Sequence, residues 1–320
     1  MLTSFFNLVP EAILTDVERA GRRSTGRIYQ LNSLENRVYE VEMEEGDPVV
    51  GKFYRPGRWS KECILEEHEF VNDLALSEVP VVEPLKLDDG TTLGTLTLNE
   101  NEKIFFTVFP KVRGRSPQEL DDDQLSQLGR FVARIHNVGS QKPAPHRVHL
   151  SVQTHALDPL KFLIDGGFIT LDLVTRYKQT VEEIVKKIEG PLKTPKTHRI
   201  HGDCHMANLL YLSNQPYFLD FDDTMVGPAV QDMWLLCPGQ DEETFRQREV
   251  FLKGYTEMRE FDRSTLQLIE PLRALRMIHY SAWIAKRWKD PFFTRTFTEF
   301  GTYKYWGSEL EALDVILRNL

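Results

Sequence analysis

Ile200-His201-Gly202-Asp203-Cys204-His205-Met206-Ala207-Asn208-Leu209-Leu210-Tyr211 is followed, after a polar stretch, by Tyr217-Phe218-Leu219-Asp220-Phe221-Asp222-Asp223. Two short apolar runs, Leu209-Leu210-Tyr211 and Tyr217-Phe218-Leu219, flank Ser213-Asn214-Gln215-Pro216, which has the composition of a turn. The pattern predicts a loop over 201–208, then a hairpin, then Asp220 at a strand end. Folding the hairpin brings Asn208 next to Asp220. Oxygen ligands of this kind suit a hard cation such as Mg²⁺. Asp203 lies five residues before Asn208, beside that pair without belonging to it, where a carboxylate can accept or orient a proton. A zinc site built from His201, Cys204 and His205 is the competing reading of the same loop. It lacks a second pair at ligand spacing, and no Cys-x2-Cys occurs in the chain.

Composition bounds the rest. A length of 320 residues, with 41% hydrophobic and 27% charged, is that of an ordinary globular protein with one large domain or two lobes. A net charge of −9 argues against nucleic acid as a partner. Cys63, Cys204 and Cys237 are too few for a disulfide framework and suit a cytoplasmic location. No signal peptide and no apolar run of spanning length is read, so no membrane partner is expected.

Upstream of the loop, the pattern is a sheet with one helix. A short helix is expected within residues 1–21, opened by Pro10 and Glu11. Strands are expected at 26–32, at 37–41 after a polar turn, at 48–54, at 91–98 and at 103–109, the last two joined by a charged turn at 99–103. Lys52 sits alone in the apolar strand Pro48-Val49-Val50-Gly51-Lys52-Phe53-Tyr54, either facing solvent or gripping phosphates. A helix over 61–76 places Glu67 on the same face as Ile64, Val71 and Leu74, so this carboxylate points inward and needs a partner, with Lys52 the obvious one. The segment 107–114 leaves the sheet as a hinge whose backbone can bond an adenine edge, with Phe109 at its start.

Beyond the hinge the spacing turns helical: 121–137, 158–168, 171–189, 242–261 and 271–288. Asp121-Asp122-Asp123 reads as the acidic start of a helix rather than a metal site. Residues 138–155 form a long loop, a candidate substrate-side flap. Asp232 reads equally as a helix cap or as a brace for the loop at 201–208. Leu272, Leu275, Ile278, Ala282 and Ala285 form one apolar stripe. Arg273, Arg276, Lys286, Arg287 and Lys289 read by default as a solvated face, and alternatively as a site for an acidic or phosphorylated partner.

Assembled, these stretches resemble the aminoglycoside phosphotransferase and choline kinase superfamily of protein-kinase-like folds, and within it the bacterial stress response kinase A family. The resemblance rests on Leu31-Asn32-Ser33-Leu34-Glu35-Asn36-Arg37-Val38-Tyr39, Lys52-Phe53-Tyr54-Arg55-Pro56, Ile64-Leu65-Glu66-Glu67-His68, His201-Gly202-Asp203-Cys204-His205, Gly227-Pro228-Ala229-Val230-Gln231-Asp232 and Glu270-Pro271-Leu272-Arg273-Ala274. The Asp203-x4-Asn208 spacing equals that of a protein kinase catalytic loop, and Asp220-Phe221-Asp222 stands where Asp-Phe-Gly would.

The resemblance implies an α+β, two-lobed kinase-like fold, with a nucleotide-binding lobe at 1–109 and a helical lobe at 110–320. It implies ATP- and Mg²⁺-dependent phosphorylation of Ser/Thr in protein substrates by a cytoplasmic monomer in a stress response. By the same resemblance Asp203 is the catalytic acceptor, Asn208 and Asp220 hold Mg²⁺, Lys52 and Glu67 form the ion pair of the small lobe, and Ser33 and Asn36 belong to the phosphate-covering loop. The chain departs from the kinase pattern in having no glycine in that loop, in Asp222 replacing the glycine of Asp-Phe-Gly, where it is a further candidate metal ligand, and in lacking an Ala-Pro-Glu element. Two other functions fit the same residues. One is a small-molecule kinase, with Asp165, Asp222 and Asp223 as an acidic pocket for a cationic acceptor. The other is a non-catalytic nucleotide-binding scaffold.

Overall fold

The computed structural model describes residue 5 and residues 8–99 and 102–320. Of the helix expected within 1–21, the described part is α1 (Pro10–Glu18); residues 1–4, 6 and 7, and the turn residues 100 and 101, lie outside the described residues. Strands β1 (Ser24–Gln30), β2 (Arg37–Met43) and β3 (Val49–Phe53) follow, then α2 (Lys61–Leu76), β4 (Gly94–Asn99) and β5 (Glu102–Pro110). They make a five-stranded antiparallel sheet in the order β1-β2-β3-β5-β4. Strand β3 is central, and Lys52 pairs with Val38 on one side and Thr107 on the other. Ser60 caps α2 by accepting from the Cys63 N–H, and Ile64, Glu67, Val71 and Leu74 are buried along it, as the 3–4 spacing dictates.

The remainder is mainly helical. It comprises α3 (Asp122–Gly139), α4 (Asp158–Asp165), α5 (Leu171–Leu192), β6 (Thr197–Ile200), β7 (Leu209–Leu212), β8 (Gln215–Phe218), β9 (Met225–Pro228), α6 (Val230–Leu236), α7 (Glu242–Thr256), α8 (Ile269–Lys286), α9 (Pro291–Thr296) and α10 (Tyr303–Asn319). Asp121 opens α3 through a reciprocal cap with Gln124, which accounts for the acidic run there. Helices α3 and α7 touch backbone to backbone: a Cβ on Gly129 would stand 2.1 Å from Phe251 O, and one on Gly254 would stand 2.0 Å from Ser126 O. No helix among the described residues is long and apolar enough to cross a membrane.

The loop following α3 is tethered along its length rather than free to swing as a flap. Buried Arg147 donates from Nε to Thr224 O at 2.7 Å, from Nη1 to Cys63 O at 3.1 Å, and from Nη2 to Asp222 O. Leu150 N–H donates to Val226 O at 2.9 Å. Three backbone carbonyls from two separate segments converge on one guanidinium and pin the loop there.

Candidate active site

A cleft of about 750 Å³ separates the sheet from the helical part. Ser33, Asn36, Lys52, Glu67, Phe109, Asp203, Asn208 and Asp220 all line it. Segments far apart in sequence supply these groups, so the fold brings together what the sequence offered piecemeal.

The loop at 201–208 is held by main-chain constraints. Gly202 has φ +85°, and a Cβ there would meet Asp223 O at 2.2 Å, so no other residue fits this position. Asp232, fully buried, accepts from the N–H groups of His201 and Gly202, each at 2.8 Å, and from His136 Nε2 at 3.0 Å. The cap of α6 is Ala229, so Asp232 is the brace of this loop and not the helix cap. Hairpin β7–β8 pairs Leu209 with Phe218, and Ser213 and Asn214 at its tip both have positive φ, the geometry of a tight hairpin turn. Leu219 N–H then donates to Asn208 O at 2.9 Å. Asp220 follows in the left-handed region, φ 58° and ψ 65°, which a non-glycine residue adopts at a cost and which is found most often at functional sites.

Lys52 Nζ lies 2.5 Å from Asp222 Oδ1, 2.8 Å from Asp220 Oδ1 and 4.0 Å from Glu67 Oε1. The expected pair with Glu67 is therefore the longest of three contacts. Glu67 Oε2 is buried without a hydrogen-bond partner. Burial, reinforced by nearby Asp222, pushes the Glu67 carboxyl up to about 8 against the opposing pull of Lys52.

Asp222, expected as a metal ligand, is not part of the cleft lining. Its Oδ1 meets Lys52, and its Oδ2 accepts from Asn36 Nδ2 at 2.6 Å and Arg58 Nη1 at 3.3 Å. Burial works to raise this carboxyl, but Lys52 and Arg58 outweigh it and hold it at about 2. Asn36 is likewise turned inward: its Oδ1 accepts from the Arg55 N–H at 3.2 Å, and Ser33 Oγ accepts from the Asn36 N–H at 3.3 Å. These bonds fix the loop over the cleft without a glycine.

Asp203 has three side-chain partners, of which Asn208 Nδ2, 3.5 Å from Oδ2, is the most distant. Oδ1 forms an ion pair with Arg276 Nη1 at 2.8 Å, and Oδ2 lies 3.2 Å from His205 Nε2. Burial works to raise its carboxyl, yet His205 and Arg276 hold it well below the usual carboxylate range. Asn208 Nδ2 donates to Asp203 O at 3.0 Å, which fixes the amide's orientation.

The basic segment is thus not simply a solvated face. Arg276 meets Asp203, and Arg287 Nε donates to Glu35 Oε2 at 2.6 Å, in a buried cluster where Glu35 also faces Arg55 at 3.0 Å and Trp283 Nε1 at 2.6 Å. The sequence named Arg276 and Arg287 with a solvated face as the default, because their partners Asp203 and Glu35 lie in other segments. The signal available was four further basic residues, Arg276, Lys286, Arg287 and Lys289, on and just beyond one helix of an acidic protein.

Asn208 and Asp220 are an oxygen donor pair facing the cleft, and half of the Asp220 side chain is exposed there, which fits a Mg²⁺ ion completed by phosphates and water. The zinc alternative does not fit. His201 bonds Leu219 O at 2.9 Å, Cys204 is buried in the core, and His205 faces Asp203. Among the described residues, no group of three or more His, Cys, Asp or Glu side chains is placed to hold a metal ion. Nor is the acidic pocket assembled: Asp165 ends α4 in an ion pair with Lys161, Asp222 is buried on Lys52, and Asp223 meets Arg58 at 2.5 Å.

Comparison with known proteins gives the architecture its context. Stress response kinase A of Escherichia coli is 36% identical over 304 residues, covering 95% of this chain and 90% of that protein. Serine/threonine protein kinase RdoA of Salmonella typhimurium is 34% identical over the same shares. Among solved structures, amicoumacin kinase hAmiN in complex with AMP-PNP, Ca²⁺ and Ami superposes with a TM-score of 0.75 at 20% identity, over 94% of this chain and 95% of that one. A microcompartment-associated aminopropanol kinase superposes with a TM-score of 0.70 at 18% identity, over 95% and 94%. These likenesses carry the protein-kinase-like fold. The profile of the phosphotransferase enzyme family matches residues 28–269, and with relatives this similar along nearly its whole length the chain belongs to that family, alongside the stress response kinase A proteins.

Proposed function

We propose that this enzyme transfers the γ-phosphate of ATP to Ser or Thr hydroxyls of protein substrates in a bacterial stress response, working in the cytoplasm. One observation carries the phosphotransfer reading: Asp203, Asn208, Asp220 and Lys52, drawn from three segments, line one cleft. Asn208 and Asp220 are the residues that would hold Mg²⁺, which when bound neutralises charge on the phosphates. Lys52 supplies a fixed cation beside them. Asp203 orients the acceptor hydroxyl and takes its proton as the oxygen–phosphorus bond forms. Its low-lying carboxyl is ionised before the acceptor binds and is a weak base, which suits a loose transition state in which the proton is handed over late. Most of the acceleration then comes from positioning and charge neutralisation.

Support for a protein acceptor comes from the names of the relatives, stress response kinase A and serine/threonine protein kinase RdoA. The small-molecule alternative is favoured by the fold neighbours, whose names are those of kinases for amicoumacin and aminopropanol. A scaffold without catalysis fits poorly with a complete set of candidate catalytic groups. Radiolabelled ATP offered with generic protein substrates and with a panel of small alcohols separates the readings. Label in protein supports the proposal, label in small alcohols alone replaces it, and no transfer favours the scaffold.

A further inference from the structure

Helix α8 forms one wall of the cleft. Leu272, Leu275, Arg276, His279, Tyr280 and Trp283 recur at helical spacing and line it together. This wall carries no carboxylate. Arg276 stands at its point of contact with Asp203, its side chain 38% exposed, and apart from that ion pair its N–H groups bond no described residue. His279 lies one turn further on, stacked on His155 with ring centres 4.8 Å apart. Burial drives both rings to the neutral form, down to about 4 and 3, so they add no charge near neutral pH.

The carboxylates around this part of the cleft are already matched. Glu35 faces Arg55 and Arg287, Asp223 faces Arg58, and Asp203 faces Arg276. Glu67 and Asp220 belong to the Lys52 cluster at the nucleotide end. A cationic acceptor would find no free counter-charge here and would approach a guanidinium. An anionic group next to the acceptor hydroxyl would find the remaining N–H donors of Arg276, whose planar fork suits a carboxylate or phosphate.

We infer that Arg276 selects acceptors bearing negative charge beside the reacting hydroxyl, which for a protein substrate means a Ser or Thr flanked by acidic residues. The inference rests on the phosphotransfer reading. Engaging the acceptor's anion turns Arg276 from Asp203 towards the substrate, leaving Asp203 Oδ1 to receive the hydroxyl proton. The acceptor oxygen then bonds to the γ-phosphorus while the bond from that phosphorus to the β-bridging oxygen breaks, and ADP leaves. Arg276 is a specificity residue in this scheme, acting on the acceptor rather than on the nucleotide.

The test uses the full chain, labelled ATP and two serine peptides identical except for flanking residues, three Glu in one and three Lys in the other. The wild type is expected to favour the Glu peptide in kcat/KM by on the order of tenfold or more, the scale of a charged hydrogen bond. Arg276→Gln should abolish the preference and Arg276→Glu should reverse it, a change that loss of structure alone cannot produce. An unchanged ratio in Arg276→Glu, or a wild-type preference for the Lys peptide, overturns the inference. D-glycerate and choline serve as small acceptors in parallel. Transfer to glycerate alone keeps the charge selection and overturns the protein acceptor, transfer to choline alone overturns the inference, and transfer to none of the four probes overturns both.

Discussion

The two ends of the cleft are built differently. At the nucleotide end, Lys52, Asp220 and Asp222 form a tight cluster on a central strand and a strained turn, each carboxylate within 2.8 Å of the ammonium. At the acceptor end, Asp203 meets a partly exposed arginine from a helix some seventy residues further along the chain. Groups at the first end are held by backbone geometry and burial, so their roles depend on the fold. At the second end Arg276 is held by a single ion pair with Asp203, so it can turn to a substrate while the fold stays constant. Under the proposed function the first end takes the phosphoryl donor and the second the acceptor.

Lys52→Ala tests the first end most severely. Removing the cation should cut phosphoryl transfer by ~10²–10³-fold, the scale of losing one preorganised electrostatic contact. Circular dichroism should show a retained fold, and steady-state kinetics at saturating acceptor should show the loss. A wild-type rate would mean that the lysine does not act on the phosphates. Asp232→Ala should be next in effect, because it strands the N–H groups of His201 and Gly202 and the His136 ring inside the core. At ~1–3 kcal/mol per stranded buried group, a loss of several kcal/mol is expected in urea unfolding. A normal unfolding midpoint would remove Asp232 as the brace.

Glu67 offers a smaller effect with a defined sign. Its folded carboxyl titrates at about 8 against an ordinary 4.5, so between those values the folded state holds a proton that the unfolded state has lost. Stability from this group therefore declines as pH rises through that window. Glu67→Gln removes the dependence: thermal unfolding should find variant and wild type similar at pH 5 and the variant the more stable at pH 9. Equal pH slopes would contradict the buried, poorly partnered state of Glu67. Smallest of all should be Arg273→Ala, on the same helix as Arg276 but paired, among the described residues, only with Glu270 at 3.6 Å. Stability should move by less than about 0.5 kcal/mol and acceptor preference should stay unchanged. A lost preference would move the selecting charge from Arg276 to its neighbour.

The same division explains what could be read in advance. Asp203, Asn208 and Asp220 sit within one local motif and Lys52 interrupts an apolar strand, so they could be picked out as candidates, with the family resemblance supplying their roles. The five strands and the extent of α2 followed from alternation and from the inward face of Ile64, Val71 and Leu74, whereas the order β1-β2-β3-β5-β4 depends on pairings that no local pattern announces. On α8, the stripe Leu272, Leu275, Ile278, Ala282 and Ala285 was legible because apolar spacing announces burial, and all five are buried. The adjoining face with Arg276 and His279 was not, because nothing local says that it meets a cleft. Asp222 misled for a related reason: its place in the motif suggested metal, while its partners Asn36 and Arg58 come from the other lobe. Length likewise suggested a flap at 138–155, where one buried arginine pins the chain.

In the proposed mechanism Asp203 acts on the acceptor and not on the nucleotide. Asp203→Asn keeps the size and hydrogen-bonding shape of the side chain and removes its charge. Two quantities measured on this variant decide the matter together: ATP affinity by calorimetry and labelled phosphate transfer to an accepted substrate. A fall in kcat of ~10²–10⁴-fold, the usual range for a positioned base, is expected, with ATP affinity unchanged or slightly tighter. Full transfer activity would remove Asp203 from the mechanism, and lost ATP binding in a folded variant would place it among the groups that hold the nucleotide.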